Sequence, residues 1–159
     1  MTTFSHILSK CSSPWNAFLN TLDSQPGLSN RETMDLFAKT LAVAPSTWKD
    51  SNDNTLLIHM ASRNKTHIVK RLIHELYVPV NATNKDGMTA LHMAAQNGAQ
   101  ETCSELLNSH ADATLKNKNG DTAATIAQNA GHMDLFHTLK RAETLKRLFQ
   151  GYNNRLSDR

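Results

Sequence analysis

At 159 residues, with 39% apolar and 19% charged side chains, the chain has the composition of one folded domain with a sizeable core, not of a disordered segment. No run approaches the ~18 consecutive apolar residues of a membrane-spanning helix, and residues 1–12 lack the apolar centre of a secretory signal, so a cytoplasmic setting is expected. The formal charge of +3 is uneven: Lys140, Arg141, Lys146, Arg147, Arg155 and Arg159 outweigh Glu143 and Asp158 by four, which leaves the preceding chain near neutral and argues against a nucleic-acid groove there.

Ser13-Pro14 reads as an N-cap followed by proline at the first helical position, where its missing N–H is no loss. Trp15, Phe18, Leu19 and Leu22 then fall at helical spacing and make one apolar face, before Gln25-Pro26-Gly27 breaks the helix. Ser29-x-x-Glu32 matches a capping box. It opens a second helix whose expected buried stripe is Met34, Phe37, Ala38 and Leu41, ending near Ala44 ahead of Pro45. Phe4, Ile7 and Leu8 suggest a short preceding helix. Residues 1–50 thus read as a helical N-terminal capping region.

From there the chain repeats itself. Gly87-Met88-Thr89-Ala90-Leu91-His92-Met93-Ala94-Ala95 recurs thirty-three residues on, with Gly120, Thr122 and Ala127 matching Gly87, Thr89 and Ala94. At the same distance back, His59-Met60-Ala61 repeats His92-Met93-Ala94. A fixed period of this length marks stacked repeats, here 51–83 (degenerate), 84–116 and 117–151. In this alignment Asn54 stands where Gly87 and Gly120 stand, and Lys65 where Gly98 and Gly131 stand. The first copy would then have an inter-helix loop one residue shorter, made up at Tyr77-Val78-Pro79. Met60, Met93 and Ile126 would share a core column. Thr89 and Thr122 sit where an N-cap is wanted, and glycine at 87 and 120 permits the positive φ of a tight turn. A last helix is expected to keep its apolar stripe at Leu135, Phe136, Leu139, Leu145, Leu148 and Phe149, to stop at Gly151, and to leave 152–159 as a flexible tail.

Quoted in order, Asn84-x-x-Gly87-x-Thr89-Ala90-Leu91-His92-x-Ala94-Ala95-x-x-Gly98, followed by Leu106-Leu107 and Ala111-Asp112, resembles the ankyrin repeat. Ala90 and Ala123 replace the family's proline, and His110 replaces its exit glycine. The resemblance implies an all-α fold: an ankyrin-repeat solenoid of stacked helix-turn-helix units with short β-turn or hairpin loops and helical caps at both ends. It also implies a non-enzymatic module that binds a protein partner through its turn tips and the concave face of its inner helices. A free-standing small protein of this kind is similar to effectors that intracellular bacteria deliver into a host cytoplasm.

Positions that keep register but vary in chemistry are the candidate partner-binding residues: Asn52, Thr55, Arg63, Lys85, Asp86, Met88, Gln96, Asn97, Lys118, Asp121 and Asn129. Met88 is the expected apolar anchor. His59 and His92 occupy a slot where histidine hydrogen-bonds within and between repeats, and no three or four ligands converge as zinc requires. Cys11 and Cys103 lack metal or disulfide spacing and read as reduced thiols, Cys103 on the apolar face of an outer helix. No metal, cofactor, small-molecule substrate, nucleic acid or membrane is expected, and a monomer is. The competing reading is an effector enzyme or toxin with its chemistry in the non-repeat segment, around His6, Cys11 and Trp15.

Overall fold

Eight helices carry the described part of the chain, which in this computed structural model comprises residues 13–25, 27–42 and 47–157. The expectations placed on Phe4, Ile7, Leu8, His6, Cys11, Pro26, Ala44 and Pro45 lie outside those residues. The chain divides into two compact units, Met1–Trp48 and Lys49–Arg159.

The first unit holds α1 (Pro14–Ser24) and α2 (Asn30–Leu41). The Trp15 N–H donates to Ser13 Oγ at 3.2 Å, with Pro14 in the first turn. At the start of α2 the capping box is complete, since Ser29 Oγ accepts from the Glu32 N–H while Glu32 Oε2 accepts from the Ser29 N–H. Trp15, Phe18 and Phe37 meet with ring centroids 5.7 to 6.0 Å apart, and Leu19 and Leu22 are buried beside α1's aromatics. The stripe on α2 is not the expected one. Thr33, Phe37 and Thr40 are buried, whereas Met34 and Leu41 are half-buried and Ala38 is exposed. Both threonines return their hydroxyls to the helix, to Ser29 O at 2.8 Å and Leu36 O at 2.9 Å, so their burial leaves no donor unpaired.

The second unit is a stack of three helix pairs: α3 (Leu56–Ser62) with α4 (Thr66–His74), α5 (Ala90–Gln96) with α6 (Gln100–Asn108), and α7 (Ala123–Asn129) with α8 (Met133–Ser157). The short helices α3, α5 and α7 pack on one another in succession, and α4 packs on α6. Each short helix opens on a threonine whose hydroxyl accepts from the third N–H along: Thr55 from Ile58, Thr89 from His92, Thr122 from Thr125. Small residues line the approach, with Ala90, Ala94, Ala95, Ala123, Ala124 and Ala127 all buried.

These caps correct the register of the first copy. Thr55, not Met60's neighbour His59, is the marker that aligns with Thr89, so the first two copies are offset by thirty-four residues through both helices. The positive-φ residues agree: Asp53, Gly87 and Gly120 share one turn, and Asn64, Gly98 and Gly131 share the next. Asn54 therefore does not take the place of Gly87, nor Lys65 that of Gly98. The loop between the paired helices has the same length in all three copies. The extra residue lies at Glu75-Leu76, between the end of α4 and the positive-φ Tyr77 that matches His110. The buried column is accordingly Met60, Ala94 and Ala127, while His59, Met93 and Ile126 form a half-buried column beside it.

The last helix also departs from expectation. Leu135 and Leu139 are buried and Phe136 is half-buried, but Leu145, Leu148 and Phe149 are 49%, 66% and 68% exposed. Beyond Leu139 the buried face passes through Glu143, whose carboxylate pairs with Arg147 at 2.7 Å and Lys140 at 3.2 Å. Lys146 reaches Asp112 at 2.8 Å. The side chains of both partners are about half exposed, so only the carboxylate gives up its hydration, and its pairing with two cations offsets that cost. Gly151 does not stop the helix, which runs through the expected tail to Ser157. A single glycine costs a helix only about 1 kcal/mol.

Candidate interaction surface

The turns ahead of the short helices are built by one side chain each. Asn84 Oδ1 accepts the N–H groups of Asp86 and Met88 at 2.9 Å, and Asn117 Oδ1 those of Asn119 and Asp121 at 2.9 Å. Asp50 does the same for Asn52 and Asn54, at 2.8 and 2.9 Å. Burial alone would raise its pKa, but the bonds from Asn54, Asn52 and His59 outweigh it and hold the carboxyl below its usual value. The turns are then laced together. The Lys85 N–H donates to Asn52 O and the Lys118 N–H to Asp86 O, each at 2.9 Å. With their main chains and capping side chains bonded in this way, the tips form a rigid row.

Between the second and third tips lies a cleft of about 350 Å³. Met88 and Ile126, both half-buried, supply its apolar surface, and Asp86, Gln96, Asn117, Lys118, Asn119 and Asp121 surround them. Five of the residues proposed from sequence thus come together: Asp86, Met88, Gln96, Lys118 and Asp121. Asn117, Asn119 and Ile126 were not among them. Ile126 was assigned to the core column with Met60 and Met93, but the fold leaves it half-buried on this face. Met88 is half-buried, and Asn117 Nδ2 donates to its sulfur at 3.4 Å.

The other candidates lie outside the cleft, and the fold uses most of them. Asn52 gives its carbonyl to the next tip, Thr55 caps α3, and Lys85 Nζ donates to Ser51 O at 2.6 Å. Arg63 lies against His59, with its guanidinium 3.3 Å from His59 O. Asn97 Nδ2 donates to Ser62 O at 3.0 Å and Met93 O at 3.1 Å, stitching α5 to α3. Asn129, at the end of α7, is exposed.

The histidine of the second repeat serves the fold. His92 is 1% exposed, and its Nδ1 accepts from the Thr89 N–H at 3.1 Å. That leaves Nε2–H to donate to Leu115 O at 3.2 Å and Asp121 O at 3.3 Å, which ties α5 to the following turn. Burial, partly offset by those two carbonyls and by the nearby Asp121 charge, holds its pKa below the ordinary value. Among the described residues no group of three or more His, Cys, Asp and Glu is placed to hold a metal ion. Burial pushes the Cys103 thiol up to about 12, so it stays protonated and is no nucleophile at neutral pH. No described helix is long and apolar enough to cross a membrane.

A family model of ankyrin repeats, in three copies, matches residues 29–117. The match takes in α2 and stops short of the copy at 117–151, where Ala124 and Thr125 stand in place of Leu91 and His92. The human Espin-like protein is 43% identical over 54 residues, covering 34% of this chain and 5% of that protein. The tyrosine-protein kinase HTK16 of Hydra vulgaris is 33% identical over 85 residues, covering 52% of this chain and 11% of the kinase. The chain therefore spans only a small part of the length of these curated relatives.

Proposed function

The chain belongs to the ankyrin-repeat family, and on that premise we propose that it is a non-enzymatic docking module that holds a protein partner against its turn tips and the adjoining face of α5 and α7. Ankyrin repeats in general mediate protein binding; the face used here is the proposal. The observation that carries it is the Met88–Ile126 cleft, where half-buried apolar surface meets polar side chains on rigid tips. Such a mixture suits a protein interface, whose centre is apolar and whose rim is polar. At about 350 Å³ the cleft stands at the small end of the roughly 300–1,000 Å³ range of ligand sites. It suits one long side chain better than a cofactor.

Affinity capture with the intact chain, run beside a Met88→Arg variant that blocks the cleft, tests the face. The variant should keep the helical circular dichroism spectrum and lose the partner. A partner held equally by both proteins would place binding elsewhere.

A further inference from the structure

Two carboxylates at this cleft, those of Asp86 and Asp121, are not tied into the fold by a hydrogen bond or an ion pair among the described residues, although the buried His92 feels the Asp121 charge. Their main-chain groups are bonded, but the turn-building role belongs to Asn84 and Asn117. In the first copy that turn-building position is Asp50, whose carboxylate is fully engaged by Asn52, Asn54 and His59. The second and third copies thus use neutral amides for the turn and place their acids at the mouth of the cleft.

We propose that the cleft receives a basic side chain, lysine or arginine, from the docked partner, a proposal that rests on the docking reading above. The aliphatic stem of such a residue matches the Met88 and Ile126 surface, and the thioether of Met88 adapts to its shape. The head group meets Asp121, half-buried beside Ile126, and Asp86 at the rim, with the Gln96 and Asn119 amide oxygens as further acceptors. Lys118 is the opposing charge. It is exposed on the tip and has no ion pair among the described residues, so it can turn into solvent when a cation enters. The three charged groups leave the cleft with one net negative charge. An acidic side chain would have to face two carboxylates to reach one ammonium.

The test is selection of binders from a random 12-residue peptide library on the intact chain, followed by affinity measurements on the selected peptides. Asp121→Asn is a mild variant, because asparagine already stands at the equivalent Asn54 and the Asp121 bonds are made by its main chain. The expected result is a lysine or arginine at one fixed position, at least tenfold weaker binding to Asp121→Asn, and equal or tighter binding to Lys118→Ala. Peptides lost on Met88→Arg but indifferent to Asp121→Asn would overturn the basic side chain and leave the docking face standing. Acidic peptides lost on Lys118→Ala would overturn it in favour of the opposite charge. Selected peptides indifferent to Met88→Arg, or no peptides at all, would overturn both readings.

Discussion

The Asn117 side-chain amide donates to the Met88 sulfur at 3.4 Å, at the same place in the stack where the Asn84 amide donates to Asn54 Oδ1 at 2.8 Å. One rung of the inter-repeat ladder is thus a weak amide–thioether contact, and the other a full amide–amide bond. The weak rung lies at the cleft, which identifies Met88 as a position where the stack forgoes a better bond and presents apolar surface.

Met88→Asn should therefore restore the stronger rung. Its stability should stay within about 1 kcal/mol of the parent, the new bond offsetting the lost apolar contact. Asn117→Ala should cost about 1–3 kcal/mol, because it also strips the acceptor from the Asn119 and Asp121 N–H groups. Urea unfolding of the two variants checks the contrast, and equal losses would contradict it.

The tips approach closely at one glycine and not at another. A Cβ on Gly87 would meet Asn117 Cα and Lys118 N at 3.2 Å, whereas a Cβ on Gly120 would meet nothing within 4 Å. Both residues have positive φ, 74° and 85°, so alanine at either pays a similar backbone strain of about 1–2 kcal/mol. Gly87→Ala should lose more than Gly120→Ala, the excess being the cost of parting the Lys118–Asp86 main-chain bond. Comparable melting temperatures for the two variants would show that the tips are not pressed together.

Stability should fall on mild acidification. His92 is held below its ordinary pKa of 6.5, chiefly by burial, so the unfolded chain takes up its proton more readily than the folded one. The stabilisation is complete above about pH 6.5 and is lost as the pH falls from there through the lower folded-state value. His67, lowered first by burial and then by nearby Lys65, acts in the same direction. Denaturation midpoints measured from about pH 7.5 to about pH 5.5 should decline, and less steeply in His92→Gln. A midpoint rising towards acid would rule the account out.

On α8, Leu139→Ala should cost about 2–5 kcal/mol, the usual range for a fully buried leucine. Leu148→Lys, at a residue 66% exposed, should change stability by no more than about 0.5 kcal/mol. Both substitutions fall within the stripe expected from spacing alone. Thermal melts that ranked them equally would return Leu148 to the core.

What could be read without the structure was what the backbone does within about four residues. The caps at Ser13, Ser29, Thr89 and Thr122 and the positive-φ glycines at 87 and 120 are such features, because donor and acceptor are near neighbours in the chain. The same locality made the repeat period legible and, with it, a face where five of the proposed residues do meet. The triplet His59-Met60-Ala61 misled, since it matches His92-Met93-Ala94 in letters but is one residue out in space. The cap at Thr55 and the extra residue near Glu75 set the true register. Tertiary structure alone decided that Thr33 and Thr40 are buried on α2 and that Glu143 takes the inward place along α8 while Leu148 and Phe149 face solvent. It also decided that Ile126 belongs to a cleft and not to the core. Burial depends on what lies across from a residue, and a helical periodicity carries no information about where its neighbour ends.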